Sequence, residues 1–180
     1  MSASPESLAA RGPIEVRPAR PADVEAIWDL LRGLAVYEKL DHLVTGSAEA
    51  MRRHLFGDAW PRAECLVAES DGRLGGYALF YGALSSFWVR PVLWLEDLYV
   101  IDAWRGRGAG RALMRSLATI AVERECARVE WEVLDWNAPA IAFYERLGAA
   151  ASSTDWLRYR LEGDALRAVA AGEEAAGDRG

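Results

Sequence analysis

The chain is poor in the residues that most often form disulfides or hold metals. Its 180 residues include only two cysteines, Cys65 and Cys126, and two histidines, His42 and His54. Neither pair has the number or spacing of a disulfide framework or a metal site. We therefore expect reduced, mostly buried thiols, no bound metal and a cytoplasmic location.

The chain also lacks a long apolar run and an excess of basic residues. No apolar segment approaches the length of a membrane span, and the formal net charge is −6 at pH 7. A nucleic-acid partner requires a basic face that binds phosphates. We therefore expect neither nucleic acid nor membrane as a partner, and a negative charge that suits a cationic small molecule.

What the sequence does contain is enough apolar material for one core. Hydrophobic residues make up 52% of the chain and tryptophan occurs eight times, which excludes a disordered protein. A chain of this length is typical of a single domain. We predict a flexible tail over residues 1–12 and one domain over residues 13–162. A C-terminal extension over residues 163–180 is predicted to form a short helix and then to be disordered.

Strands alternate with helices along this domain, which is typical of a mixed α/β fold. Asp71-Gly72 is a hairpin signal, Arg90-Pro91 predicts an interruption, and Ser47 and Asn137 are predicted helix caps. The predicted strands are 14–17, 64–69, 73–84, 92–101, 128–134 and 156–161. The predicted helices are 21–38, 48–55, 109–124 and 137–147.

The most informative segment joins two carboxylates to a turn rich in glycine and arginine. Glu96 and Asp97 lie in an apolar run, and the segment from Arg105 to Arg111 leads into an amphipathic helix. Backbone N–H groups at the start of a helix, with arginines nearby, form a site for an anion such as a phosphate. The turn lacks the Lys-Ser/Thr pair of a P-loop, and Arg111 stands where the Rossmann pattern requires its third glycine.

The pattern Arg105-x-x-Gly108-x-Gly110, directly before a helix, resembles the pyrophosphate-binding turn of the GNAT (Gcn5-related N-acetyltransferase) family. Further motifs between Ile14 and Leu161 resemble its branch of spermidine/spermine N1-acetyltransferases and thialysine acetyltransferases. They are Arg17-Pro18-Ala19, Leu34-Ala35-x-Tyr37-Glu38, Leu95-Glu96-Asp97 and Trp136-Asn137-x-Pro139-x-Ile141-x-Phe143-Tyr144. The chain departs from this branch over residues 85–92 and after Gly148, so the resemblance leaves the acceptor amine open.

The resemblance implies a GNAT fold, a central mixed, twisted sheet of about six to seven strands flanked by about four helices. It also implies a homodimer and acetyl-CoA as the co-substrate. A β-bulge beside the carboxylates would free backbone groups that bind the pantetheine arm and polarise the thioester carbonyl. The implied acetyl-CoA-binding residues are Leu98, Tyr99, Val100, Arg105, Gly106, Arg107, Gly108, Ala109, Gly110, Arg111, Asn137 and Tyr144.

Acetyl transfer requires a neutral amine, whereas a primary amine with a pKa of about 10 is mostly protonated at neutral pH. Glu96, whose apolar neighbours disfavour an unpartnered carboxylate, is the predicted base for that proton, directly or through water. Tyr144 matches the family's tyrosine that protonates the leaving thiolate. Asp97 lies on the opposite pleat of a regular strand, so we predict a structural role for it unless a bulge changes that alternation.

Carboxylates near the predicted acceptor site favour a cationic amine. By resemblance, Tyr37 and Glu38 line this site, and Glu130 and Glu132 share one face of their predicted strand. We therefore predict a pocket for a polyamine or a thialysine-like compound. Its predicted residues are Tyr37, Glu38, Glu96, Glu130, Trp131 and Glu132.

Two alternatives stay open for the function. In the first, the acceptor is a different amine, such as an amino acid, an aminoglycoside-like amine or a protein N-terminus. In the second, the chain binds acetyl-CoA as a sensor without turnover. The presence of both Glu96 and Tyr144 favours an enzyme. No cysteine lies in the predicted site to carry the acetyl group, so we expect direct transfer within a ternary complex.

Overall fold

A computed structural model describes residues 12–58, 60, 62–151 and 159–172 of the chain. The chain divides into two compact units, Met1–Glu132 and Val133–Gly180. The expectation of one domain over residues 13–162 stays a prediction. No helix within the described ranges is both long and apolar enough to cross a membrane.

Strands and helices alternate in the first unit, which confirms the mixed α/β class. Its elements are β1 (Glu15–Pro18), α1 (Val24–Glu38), α2 (Ala48–Phe56), β2 (Glu64–Ser70), β3 (Arg73–Ser85), β4 (Arg90–Val100), α3 (Ala109–Glu123) and β5 (Val129–Glu130). The described residues of the second unit include the helices α4 (Ala138–Glu145) and α5 (Gly163–Ala170).

The strands form one mixed sheet in the order β1-β2-β3-β4-β5. The first four strands pair antiparallel and β5 pairs parallel to β4. The predicted count of six to seven strands is wrong for the described residues, which form five strands. Residues 156–158 of the last predicted strand lie outside the described residues, and residues 159–161 are not in a strand.

Two predictions about strand ends are wrong for identifiable reasons. The strand predicted over residues 128–134 is limited to Val129–Glu130, because β4 and β5 pair only at Leu93 and Trp94 among the described residues. Pro91 does not interrupt β4. Its carbonyl accepts from Ala127 N at 2.8 Å, so its backbone points away from β3 and the missing N–H removes no bond between β3 and β4.

Short-range signals mark two further boundaries as predicted, the turn between β2 and β3 and the start of α2. Asp71 and Gly72 both have positive φ, 51° and 72°, which is the conformation of a type I′ hairpin turn between β2 and β3. Ser47 Oγ accepts from Ala50 N at 3.1 Å and caps α2. At these two positions, local sequence chemistry determines where the next element begins.

The sheet of the first unit buries a different cluster on each face. Side chains alternate along a strand, so Leu66 of β2 packs with residues of α3 while Val67 packs with residues of α1. The α3 side includes Phe80, Leu93, Leu95, Trp104, Leu113 and Leu117. The α1 side includes Ile27, Leu30, Leu34, Cys65 and Tyr77. Both helices are thus held on the same strands that carry the predicted site.

Candidate active site

A β-bulge at Glu96 changes which way the following side chains point. On β4, Leu95 lies opposite Phe80 and Asp97 lies opposite Leu79, so Glu96 is an extra residue without a partner on β3. The bulge that the resemblance implied is confirmed. Strict alternation from Leu95 would place Asp97 on the α3 side, but the bulge moves it to the α1 side.

Asp97 is held by a buried tyrosine, a contact that sequence reasoning did not find. The hydroxyl of Tyr77 on β3 donates to Asp97 Oδ2 at 3.0 Å. Burial raises the pKa of Asp97 to about 6, and the negative charges of Glu96 and Glu38 act in the same direction, while the hydrogen bond from Tyr77 opposes them. Burial likewise raises the pKa of Tyr77 well above its ordinary value. Asp97 is therefore placed among the site residues, with Tyr77 as its anchor.

Glu96 lies exposed beside Asp97. The indole Nε1 of Trp94, two residues earlier on β4, donates to Glu96 Oε2 at 2.9 Å. One carboxylate oxygen is thereby fixed by a neutral donor, which leaves the group able to accept a proton at its other oxygen. Trp94 is a second residue of the site that its sequence position alone did not mark.

The end of α1 brings two more predicted residues to this region. Tyr37 and Glu38 form the last turn of α1, which ends at Lys39 in a left-handed conformation with φ 62°. Burial raises the pKa of Glu38, and its charge raises the pKa of Asp97. The structure therefore brings Glu38, Glu96 and Asp97 close enough for their charges to interact.

The three residues predicted on the next strand are placed differently. Glu130 lies beside Trp94 in the β4–β5 pair, and its carboxylate forms an ion pair with Arg128 Nε at 2.8 Å. Trp131 packs against the cluster on the α3 side. Because the strand ends at Glu130, alternation does not place Glu132 on the same face.

The glycine turn has the geometry of an anion site. Gly106 and Gly108 have φ of 73° and 90°, a region that disfavours other residues. The first intrahelical bond of α3 runs from Ala112 N to Gly108 O at 2.9 Å, so the N–H groups from Ala109 to Arg111 have no acceptor within the helix. The N-cap residue is Gly108, which has no side chain to cap the helix. These donors and the helix dipole fit a pyrophosphate group.

The edge of β4 beyond the bulge offers backbone groups to a ligand. Ile101 N donates to Gly75 O at 2.9 Å, so alternation turns the backbone N–H and C=O groups of Val100 and Leu98 away from β3. Among the described residues, β5 covers this edge only at Leu93 and Trp94. An amide-bearing arm can pair there as an added strand. The backbone of Tyr99, by the same alternation, points toward β3.

A glycine on β3 positions the turn from behind. A Cβ atom built on Gly75 would lie 2.2 Å from Cδ2 of Trp104, whose side chain is buried directly before the turn. The bare Cα therefore makes room for the indole ring. Packing of Trp104 against Gly75 fixes where Arg105 and the turn begin.

Arg105 points back toward the protein. Its Nε donates to Val100 O at 3.0 Å, and its Nη1 lies 2.8 Å from Asp102 Oδ1. Its guanidinium carbon lies 4.8 Å from the ring centroid of Tyr37 and 5.9 Å from that of Tyr99. The first arginine of the turn thus contacts α1 and β4.

Two predicted residues belong to the second unit. Asn137 is buried, and its Oδ1 accepts from Ala140 N at 3.3 Å, which confirms the predicted cap of α4. Tyr144 lies in the last turn of α4, half-buried, with its ring centroid 5.3 Å from that of Phe143. Its proposed role as a proton donor stays a prediction.

The raised pKa of Asp97 has a consequence for stability. A carboxyl group with a folded pKa of about 6 resists ionisation, so stability present at pH 4 is lost as the pH rises through about 6. Asp97→Asn cannot ionise, and its side-chain oxygen still accepts from Tyr77. We expect this variant to be more stable than the wild type at pH 7.5, by on the order of 2 kcal/mol, and to lose that advantage at pH 4.

Urea unfolding at several pH values measures this difference in stability. Asp29→Asn makes the same charge change on the exposed face of α1 and serves as the control. If Asp97→Asn is more stable than the wild type by the same free energy at pH 4 and at pH 7.5, burial does not raise the pKa of Asp97 as stated.

Comparison with known proteins agrees with this geometry. The model of the family described as "Acetyltransferase (GNAT) family" matches residues 31–149. The chain is 39% identical to the thialysine N-epsilon-acetyltransferase of Mus musculus, over 86% of this chain and 96% of that protein. It is 29% identical to an L-ornithine N5-acetyltransferase of Arabidopsis thaliana, over 86% of each chain. The solved structure of a V. cholerae integron cassette protein superimposes with a TM-score of 0.71 at 24% identity, over 87% of this chain and 97% of that one.

Proposed function

The chain belongs to the GNAT family of acetyl-CoA-dependent N-acetyltransferases, and we propose that its acceptor is a small basic amine, a polyamine or a thialysine-like compound. The observation that carries this proposal is the group of carboxylates from Glu38, Glu96 and Asp97. None of the three forms an ion pair with a described lysine or arginine side chain. Their negative charge is therefore available to a cationic ligand.

The names of the relatives support this class of acceptor. The mouse protein is named for thialysine and the Arabidopsis protein for ornithine. Both compounds carry a primary amine on a short chain and a second ammonium group. One ammonium group can bind to the carboxylates while the other amine reacts.

The chain's own residues supply the proton transfers of the reaction. Glu96 accepts a proton from the ammonium group, and the neutral nitrogen attacks the thioester carbonyl. The C–N bond forms, the C–S bond breaks, and the leaving thiolate takes a proton from the hydroxyl of Tyr144. The new amide nitrogen loses its second proton to solvent. Glu96 releases its proton to solvent and Tyr144 regains one, so that both side chains return to their starting forms. Backbone N–H groups at the edge of β4 stabilise negative charge on the carbonyl oxygen during the attack.

The backbone N–H groups of the glycine turn and of the edge of β4 also suit acetyl-CoA, the source of the acetyl group. The turn from Gly106 to Arg111 would hold the pyrophosphate of acetyl-CoA. The backbone groups of Leu98 and the N–H of Val100 would pair with the amides of its pantetheine arm, while the carbonyl of Val100 accepts from Arg105. Asn137, the buried cap of α4, is a further proposed contact. These residues orient the thioester, which carries the activated acetyl group.

The state of Cys65 favours direct transfer of the acetyl group over transfer through an acetyl-cysteine. Cys65 is buried on the α1 side, where burial raises the pKa of its thiol to about 12. It is therefore almost entirely protonated at neutral pH and a poor nucleophile. We propose a ternary complex. Parallel double-reciprocal lines together with an isolable acetyl-enzyme would contradict it.

A thiol-release assay with a panel of amines tests the proposed function. With acetyl-CoA fixed, we expect kcat/KM for thialysine, ornithine or spermidine to exceed that for benzylamine, which has one amine and no second charge, by about tenfold or more. Lysine separates amino-acid acceptors from polyamines. Equal rates for benzylamine and the diamines would reject the acidic acceptor site, and no release with any amine would favour the sensor alternative.

A further inference from the structure

The three arginines of the glycine turn are not equivalent. Arg107 and Arg111 are exposed at the start of α3, whereas the interactions of Arg105 are directed at α1 and β4. The Nε of Arg105 is used by the carbonyl of Val100, and one terminal nitrogen pairs with Asp102. The Nε atom, one terminal nitrogen and the flat face of the guanidinium of Arg105 therefore all contact the protein.

The ring of Tyr37, over which Arg105 lies, belongs to the proposed binding site of the amine. Tyr37 immediately precedes Glu38, whose charge interacts with Asp97 at the bulge. Tyr99, the other ring near Arg105, packs against α1, since a Cβ atom on Gly33 would lie 3.1 Å from the Tyr99 hydroxyl oxygen. Arg105 therefore covers two rings that join the end of α1 to β4.

We propose that Arg105 is a positioning residue that holds Tyr37, and with it the acceptor wall at the end of α1, in place against the acetyl-CoA turn. This rests on the proposed function, because Tyr37 must line the amine site. A guanidinium over a tyrosine ring is attracted by the negative face of the ring, and its planar shape favours stacking. Loss of Arg105 would let Tyr37 leave the position that binds the amine.

The proposed positioning role and a simple charge effect predict opposite changes in the KM for the amine when Arg105 is replaced, which makes the proposal testable. Removal of a positive charge close to a cationic amine should lower the KM for that amine. If Arg105 instead positions Tyr37, Arg105→Gln should raise the KM for thialysine by about tenfold, with the Kd of CoA changed by less than about threefold. Arg107→Gln removes the same charge from the same turn and is the matched control. It should weaken CoA binding and leave the KM for thialysine within about threefold.

A double-mutant cycle identifies Tyr37 as the residue through which Arg105 acts. Tyr37→Leu removes the ring, so Arg105→Gln should add less than about twofold to the KM for thialysine in that background. If Tyr37→Leu alone also raises the KM for thialysine by about tenfold and the two residues act independently, the double variant should raise it by about a hundredfold. Multiplied effects, or a fall in the KM for thialysine in Arg105→Gln, would overturn the proposal.

The wild-type protein decides the proposed function separately. Absence of turnover with every amine of the panel rejects that function before any variant is made. The role of Arg105 is judged further by calorimetry with CoA, which needs no turnover. A rise of tenfold or more in the CoA Kd of Arg105→Gln, equal to that of Arg107→Gln, would make Arg105 a phosphate ligand and overturn the proposal.

Discussion

Glu96→Gln should lower kcat/KM for the amine acceptor by about a hundredfold or more at pH 7. Glutamine has the same shape, and its side-chain oxygen can still accept from Trp94 Nε1, as the carboxylate does at 2.9 Å. It cannot accept the proton of the ammonium group. The variant therefore depends on the small fraction of amine that is already neutral, which is about one part in a thousand at pH 7 for an amine with a pKa near 10.

The pH profile distinguishes this loss from a general disruption of the site. As the pH rises toward 10, solvent deprotonates the amine, so the deficit of Glu96→Gln should shrink. Tyr144→Phe is the comparison, because we propose that Tyr144 protonates the leaving thiolate, and the deficit of this variant should therefore not shrink as the neutral fraction of the amine rises. An activity of Glu96→Gln within threefold of wild type at pH 7 would remove Glu96 from the mechanism.

Gly75→Ala should destabilise the protein by about 3 kcal/mol or more, because its new methyl group would overlap a buried ring. The Cβ atom would lie 2.2 Å from Trp104 Cδ2, and Trp104 is only 2% exposed. The ring has no solvent-facing path in which to move, so β3 or the segment before the turn must shift. We also expect weaker acetyl-CoA binding, since the turn follows Trp104 directly.

Gly82→Ala is the matched control for this effect. Gly82 lies on the same strand, has no restricting φ, and a Cβ atom there would meet nothing within 4 Å. Urea unfolding of both variants, with calorimetric titration of CoA, measures stability and binding separately. Similar stabilities for the two variants would show that the packing of Trp104 on Gly75 is not required.

The sequence predicted those parts of the fold that depend on neighbouring residues. Caps at Ser47 and Asn137, the Asp71-Gly72 hairpin and the glycine turn depend on short-range backbone chemistry, and they are found as predicted. The membership in the family was also readable, because the motifs follow one another in order.

Contacts between distant segments could not be read in the same way. Strict alternation predicts a structural role for Asp97, and the bulge that the resemblance implies changes the face on which it lies. Neither shows that Asp97 is anchored by Tyr77, which lies on another strand. The pattern of alternation continues beyond Glu130, but it does not show where β5 stops pairing with β4. The spacing of the arginines marks a phosphate turn, yet it cannot show that Arg105 covers Tyr37.

The single extra residue at Glu96 divides β4 into two segments of opposite phase. Leu93 and Leu95 before it, and Leu98 and Val100 after it, all reach the α3 side although their positions differ in parity. An insertion or deletion of one residue on either side of the bulge would therefore move core side chains to the opposite face of the sheet along half of the strand. We expect natural and engineered variants of this protein to change length in its loops and to keep the length of β4 constant.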